Sequence, residues 1–281
     1  MHEINSIDES FDLKRASDYH LSIQVGLDGF SFCTLDIHRK RYIVFRHIPI
    51  IAGKSQFLTR KVESIFDQVE ELNSCYHSVS VNYSTNEATL IPKEYSTSVH
   101  LSKIEEFTFE IGRNEEARAD MIHGMNYMIG YSYPKDLVSF LNRKYTDFEF
   151  RHQSVPILSS LQNQRNEKKN TILIDFETKY FRIIVLQGTQ ISLYNSFYFK
   201  NESDFLYYIL NVCHTLHIDP ELDEILISGL VADDSEYVRQ LKKYLGNIQF
   251  LKPCSEFSYG SIFEKVQKHQ FASLLNTYSC V

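Results

Sequence analysis

One pattern occurs twice in this chain: an apolar strand, a turn of three or four residues, and a second apolar strand. The first copy is Ile23-Gln24-Val25-Gly26-Leu27-Asp28-Gly29-Phe30-Ser31-Phe32-Cys33-Thr34-Leu35. It aligns without a gap on Ile174-Asp175-Phe176-Glu177-Thr178-Lys179-Tyr180-Phe181-Arg182-Ile183-Ile184-Val185-Leu186. Few residues are identical, and what recurs is the alternation and the place of the turn. Two copies of one unit, one in each half, point to a two-lobed architecture with a cleft between the lobes.

The order of elements after each hairpin repeats as well. In the first half, Leu21–Val25 and Phe30–Asp36 are joined through Asp28-Gly29, a dipeptide suited to the positive φ of a tight hairpin. Arg41–Ile50 follows as a third strand. Val62, Ile65, Phe66, Val69 and Leu72 then fall at steps of three and four, which predicts a helix over Thr59–Asn73, and Ser78–Tyr83 alternates as a strand. In the second half the strands Thr171–Phe176, Phe181–Leu186 and Gln190–Phe199 lead into a helix over Ser203–His217. That helix is ended by Asp219-Pro220, and Glu224–Ser228 is the strand after it. Asp233 and Glu236 form a capping pair for a helix through Tyr237–Leu245 that Gly246 closes. Ile248–Leu251 is a short strand, and Ser261 with Glu264 caps a last helix towards Tyr278. Between the copies, Glu94–Ala119 has no assignable pattern. Met125–Tyr133 is a strand, Pro134 opens a helix to Lys144, and Asp147–His152 is a strand. The expected organisation is a polar N-terminal arm over residues 1–19, a first lobe over 20–160 and a second lobe over 161–281. The polar stretch Ser160–Asn170 is the link, and the arm is a docking segment or a disordered tail.

Composition narrows the function. A net charge of −7 with no basic run denser than Arg39-Lys40-Arg41 lacks the electrostatic footprint of a nucleic-acid binder, so no nucleic-acid partner is expected. The five cysteines are widely spaced with no CxxC pair, which points to reduced thiols in a cytoplasmic protein. No signal peptide and no apolar run of membrane-spanning length is visible, so no membrane insertion is expected.

Three strands, helix, strand, helix, strand, helix, present twice, resembles the actin-like ATPase fold, built from two ribonuclease-H-like lobes, each a mixed sheet flanked by helices. The chain is similar to an uncharacterised bacterial family, found mainly in Bacteroidetes, assigned to that α/β fold. The resemblance implies an ATP-Mg site in the cleft. Glycine hairpins let backbone N–H groups approach the phosphates, and an Asp near the end of the first strand of a lobe positions Mg²⁺. Here the Asp-x-Gly pattern becomes Gln24-Val25-Gly26 in the first lobe and Asp175-Phe176-Glu177 in the second. Gln24 brings no charge. Glu177 sets a carboxylate near the phosphate position, where a like-charge contact at about 4 Å costs on the order of 4 kcal/mol at an effective dielectric near 20. The Gly-Gly turn that approaches adenosine becomes Ser228-Gly229-Leu230, with one glycine surviving. The implied reading is a degenerate nucleotide site at Gln24, Gly26, Asp175, Glu177 and Gly229, with no catalytic residue, no resident metal and no required cofactor. On that reading the protein is a non-catalytic scaffold with a protein partner. The alternative is a divergent ATPase or small-molecule kinase whose Mg²⁺ is held by Asp175, and a third possibility is a sensor that binds another anion or metabolite.

Four further constellations carry weaker signals. His214 and His217 could share a metal but have no third ligand at matching spacing. Asp233-Asp234 with Asp175 could form a two-metal cluster, although capping already accounts for Asp233. Cys213 and His214 are neighbours on a helix and point about 100° apart, so they make a poor nucleophile–base pair. Gly53-Lys54-Ser55 lacks the upstream glycine of a phosphate-binding loop.

Overall fold

Gly26 and Gly29 face each other across a two-residue turn and set the register of the first hairpin, which puts Gln24 opposite Ser31. The four leading strands are Ile4–Ile7 (β1), Tyr19–Gly26 (β2), Gly29–Asp36 (β3) and Arg41–Pro49 (β4). The computed structural model describes residues 2–50, 52–53, 55–96, 111–164 and 169–280. Neither Asp28 nor Gly29 has a positive φ, contrary to the hairpin expectation. Gly29 is required for another reason: a Cβ there would lie 2.9 Å from His47 Cε1.

Two compact units divide the chain: Met1–Ser159 with Cys254–Val266 and Ser273–Val281, and Ser160–Pro253 with Gln267–Ala272. In the first, Ser55–Gln68 (α1) leads to Ser78–Ser84 (β5). The predicted helix to Asn73 stops earlier, because Val69 adopts an extended φ/ψ and Glu70–Asn73 continues as a separate 3₁₀ turn. Ala88–Pro92 (β6), just ahead of the stretch without a pattern, and Glu115–Met121 (β7), which overlaps its end, flank Tyr127–Pro134 (β8) in a three-stranded antiparallel sheet. Lys135–Lys144 (α2), Glu149–His152 (β9) and Ser154–Gln164 (α3) follow. Ser160–Gln164 is therefore helical, where a linking loop is expected from sequence, and residues 165–168 lie outside the described residues.

The second unit is built from Thr171–Phe176 (β10), Tyr180–Gln187 (β11), Gln190–Tyr198 (β12), Glu202–Thr215 (α4), Glu224–Gly229 (β13), Glu236–Tyr244 (α5) and Ile248–Phe250 (β14). β10 is buried at all six positions, as a central strand covered on both faces should be. Phe205, Ile209, Val212 and Cys213 form the buried stripe of α4 and pack with Ile172, Ile174, Ile225 and Ile227 in one core. Asn201 caps this helix by accepting from Asp204 N at 2.9 Å. His217, at φ 53, ends it ahead of Asp219-Pro220, with Ile218 N donating back to Cys213 O.

The two main sheets share one plan. The first runs β1-β4-β3-β2-β5-β9 and the second β12-β11-β10-β13-β14. In each, three antiparallel strands are continued by two parallel ones. The added strand β1 corrects the expectation of a free N-terminal arm. Ile4 to Ile7 pair with His47 to Val44, and Asp8 Oδ2 accepts from Arg41 Nη2 at 2.7 Å.

The end of the sequence also departs from expectation. Instead of one helix from Ser261 to Tyr278 there are 3₁₀ turns at Ser261–Phe263, Lys268–Phe271 and Tyr278–Cys280 and a single α-turn at Ala272–Leu275 (α6). Gly260, not Ser261, occupies the first cap. Ser258–Tyr259 (β15) joins β4, and Tyr42 Oη donates to Leu275 O at 2.8 Å. Residues 254–266 and 273–281 thus pack with the first unit, although the sequence order puts them after the second.

Candidate functional site

Asp175 is the one ionisable residue of β10, and strand register determines its neighbours. The antiparallel pairing places it opposite Arg182, the one charged residue of β11, and the parallel pairing places it beside Ser228 of β13. Arg182 Nη1 donates to Asp175 Oδ2 at 3.2 Å and Ser228 Oγ donates to Oδ1 at 2.7 Å. Asp175 is 3% exposed and Arg182 0%. Tyr180 and Tyr194 flank the guanidinium, their ring centroids 5.7 and 5.5 Å from it. Burial pushes the Asp175 carboxyl above its ordinary 3.8, and the Arg182 charge and Ser228 hydroxyl pull it back only in part. Burial also opposes the charge on Arg182, but Tyr194, Tyr180, Asp175 and Glu177 more than offset it and the guanidinium is held above its usual range.

Gly229, at the end of β13, has φ +81. A Cβ there would lie 2.6 Å from Phe176 N and 2.9 Å from Asp175 Oδ1, so only glycine fits this turn. Leu230 N closes it by donating to Phe176 O at 2.7 Å. Glu177 is half-buried at the start of the hairpin turn, where its N–H donates to Tyr180 O at 2.9 Å. Asp175, Glu177 and Gly229 are therefore brought together.

Gln24 and Gly26 occupy the corresponding strand of the first unit. Gln24 Nε2 donates to Gln153 Oε1 at 3.3 Å. A Cβ on Gly26 would lie 2.8 Å from Ser84 Cβ, so this glycine serves the close pairing of β2 with β5. Asn82, in register with Gln24, is the counterpart of Ser228. It is fully buried, and its amide donates to Thr277 Oγ1 at 2.6 Å, while Ser273 Oγ donates to Gln153 O at 2.7 Å. Side chains of segment 273–277 thus meet the polar groups at this end of β5.

The ATP-Mg group that the fold implies does not fit these residues. The carboxylate needed near Mg²⁺ is dry and committed to an internal cation and a hydroxyl, and the other strand offers an amide. No group of three or more His, Cys, Asp or Glu among the described residues could hold a metal ion, which also disposes of the His214–His217 and Asp175–Asp233–Asp234 constellations. Asp233 is not the helix cap: it pairs with Gln267 Nε2 at 2.8 Å, and Ser235 caps α5 by accepting from Val238 N. Cys213 is buried, and burial pushes its thiol up to about 11, which leaves no reactive thiolate. Gly53 has φ +66 in open space, and Lys54 lies outside the described residues.

Arg182 and Ser228 are the site residues that sequence reasoning missed. The signal for Arg182 was a lone charge in an otherwise apolar strand, seven positions after a lone Asp across a turn.

Comparison with known proteins bears on the fold. A solved structure from Bacteroides thetaiotaomicron VPI-5482, described as a protein with actin-like ATPase fold and unknown function, superposes with a TM-score of 0.77 at 23% identity, covering 86% of this chain and 93% of its own. The PilM-PilN type IV pilus biogenesis complex contains a chain with a TM-score of 0.64 at 9% identity, covering 93% of this chain and 98% of its own. None of the curated proteins matches the chain in sequence. The fold is the actin-like ATPase fold, with each unit built on a mixed sheet flanked by helices. No helix among the described residues is long and apolar enough to cross a membrane. The model of the family described as Protein of unknown function (DUF3822) matches residues 8–248, and the chain belongs to that family.

Proposed function

We propose that this protein is a non-catalytic member of the actin-like fold, a duplicated two-unit scaffold that binds a protein partner and does not turn over ATP. The observation that carries the reading is the Asp175–Arg182 ion pair, 3.2 Å long in a fully buried setting. Arg182 supplies in cis the positive charge that Mg²⁺ would bring, and Ser228 takes the second oxygen. Releasing the carboxylate to a metal would strand a buried guanidinium, a cost of several kcal/mol. The half-buried Glu177 adds a second negative charge beside the same strand end. The shared strand plan of the two sheets supports an internal duplication. A scaffold role agrees with the PilM-PilN likeness, in which a chain of this fold is part of a protein complex.

The test is the thermal midpoint of the full chain with and without millimolar ATP and Mg²⁺. A ligand at 100 times its dissociation constant stabilises the native state by about 2.7 kcal/mol, a rise of several degrees for a protein of this size. The expected result is no shift. A Mg²⁺-dependent rise that is lost in Asp175→Asn would overturn the proposal in favour of a nucleotide-binding protein.

A further inference from the structure

β12, Gln190-Ile191-Ser192-Leu193-Tyr194-Asn195-Ser196-Phe197-Tyr198, ends the sheet of the second unit, with β11 on one side and no strand on the other among the described residues. Only Ile191 is buried. Gln190, Ser192, Asn195 and Tyr198 are exposed and the others half-buried, so solvent reaches the outer side of this strand. A bulge at Ser192 interrupts one end and leaves residues 193–198 in regular register over about 20 Å.

Register decides which main-chain groups of β12 face outward. Glu177 N donates to Tyr180 O, so Tyr180 turns its main chain to β10 and Phe181 turns to β12. Phe197, opposite Phe181, therefore bonds to β11, and Ser196 turns away from it. The Ser196 amide confirms this direction by donating to Asn195 Oδ1 at 2.9 Å, an exposed side chain that can turn aside.

Edge strands are ordinarily guarded against pairing by shortness, charge or proline. The other edges of the described sheets have such guards: β1 and β14 are four and three residues long, β6 ends in Pro92, β7 carries Glu115, Glu116, Arg118 and Asp120, and β9 is short and mostly buried. β12 has no charged residue and no proline. Apolar rings lie along it: Phe197 sits 4.9 Å from Tyr208 of α4, and Tyr198, 62% exposed, sits 6.2 Å from Tyr180.

We infer that β12 pairs antiparallel with β12 of a second copy of this chain, joining two five-stranded sheets into one across a twofold axis. Charge is what selects this occupant. The chain has a net charge of −7, so two copies repel over most of their surface, yet along β12 every antiparallel register opposes uncharged residues only. Glu202 and Asp204, at the start of α4, follow the Tyr198 end of the strand, so antiparallel pairing sends the two acidic helix starts to opposite ends of the interface. The twofold also puts both α4 helices on one face, where the Phe197–Tyr208 layer of each copy continues into the other. A lone peptide would cover the main-chain edge without extending that layer. The arrangement closes at two copies, because pairing consumes the β12 edge of each. This self-association is separate from the partner-binding reading and from the state of the nucleotide site.

The experiment follows the mass of the full chain by sedimentation velocity in reducing buffer, together with amide hydrogen exchange of residues 190–198 at low and high protein concentration. The expected result is a reversible dimer, twice the 32.9 kDa of one chain, with exchange across 190–198 slowing as the dimer forms. Asn195→Lys and Tyr198→Lys, which set like charges across the axis, should each raise the dimer dissociation constant on the order of tenfold or more while keeping the wild-type circular dichroism. Asn195→Ala, which removes the oxygen on the Ser196 amide, should keep the dimer. The inference is overturned if the wild type stays monomeric up to about 100 μM, which would leave the edge to a strand of another protein. It also falls if a dimer forms without slowing exchange in 190–198, a readout that needs no variant, if both lysine variants dimerise as well as wild type, or if assembly runs on past two copies.

Discussion

Arg182 Nη1 and Asp175 Oδ2 stand 3.2 Å apart on directly opposed positions of two central strands. The pair is closed to solvent, so neither charge can be rehydrated if the other is lost. Arg182→Met should therefore lower stability by about 3–5 kcal/mol in urea unfolding. The double variant Asp175→Asn, Arg182→Met should lose much less, because it leaves no stranded charge. Equal losses in the single and double variants would show that the pair is not the relevant unit.

Gly229 and Gly188 both have positive φ, but their surroundings differ. At Gly188 a Cβ would meet nothing within 4 Å, so Gly188→Ala should cost about 1–2 kcal/mol from backbone strain alone. At Gly229 the new methyl collides with the main chain of Phe176, and Gly229→Ala should lower the thermal midpoint several-fold more or prevent folding. Equal midpoints for the two variants would refute the close-approach argument.

Two buried histidines make stability depend on pH. Burial holds His20 down at about 3 and His47 at about 4, against 6.5 when unfolded. Below 6.5 the unfolded chain takes up protons that the native imidazoles refuse, so stability falls as pH drops from 6.5 towards 4. Asp175 acts in the opposite sense, since a carboxyl raised above 3.8 in the native state favours folding as pH falls through its native value. Thermal midpoints at pH 7.5, 6.0 and 5.0 should decline in that order. A flat profile would show that these imidazoles are accessible to protons in the native state.

Deleting residues 2–11 should lower the midpoint and promote association, because it removes β1 and the Asp8–Arg41 ion pair and bares the edge of β4. Light scattering and a thermal scan of the deletion variant check this. A variant as stable and monodisperse as the parent would mean that β1 contributes nothing.

What the sequence revealed follows from burial. β2, β3, β10 and β11 are covered on both faces; β10 and β11 read as strands through near-continuous apolar runs, and β2 and β3 through apolar residues interleaved with His20, Ser22, Gln24, Ser31 and Thr34. β1 was missed because it is a short edge strand with every second residue exposed. β7, Glu115-Glu116-Ala117-Arg118-Ala119-Asp120-Met121, was missed because its one buried residue is Asp120, so no buried apolar residue marks it as a strand. Short 3₁₀ turns mimic helical spacing over a few residues, which made 261–278 look continuous. Asp175, Glu177 and Gly229 were visible through resemblance to a fold. Arg182 needed the hairpin register before its position opposite Asp175 could be seen.

The first unit contains residues from both ends of the sequence. Ser258 and Tyr259 extend β4, and Leu275 and Thr277 accept hydrogen bonds from Tyr42 and Asn82. During synthesis the first 159 residues leave the ribosome with that edge and those buried donors unmet, and they stay so until the intervening unit has been made. The second unit, nearly continuous from 160 to 253, can complete its sheet earlier. The unit translated first is thus the one that matures last, and nascent-chain proteolysis should find it cleavable until residues 254–277 have emerged.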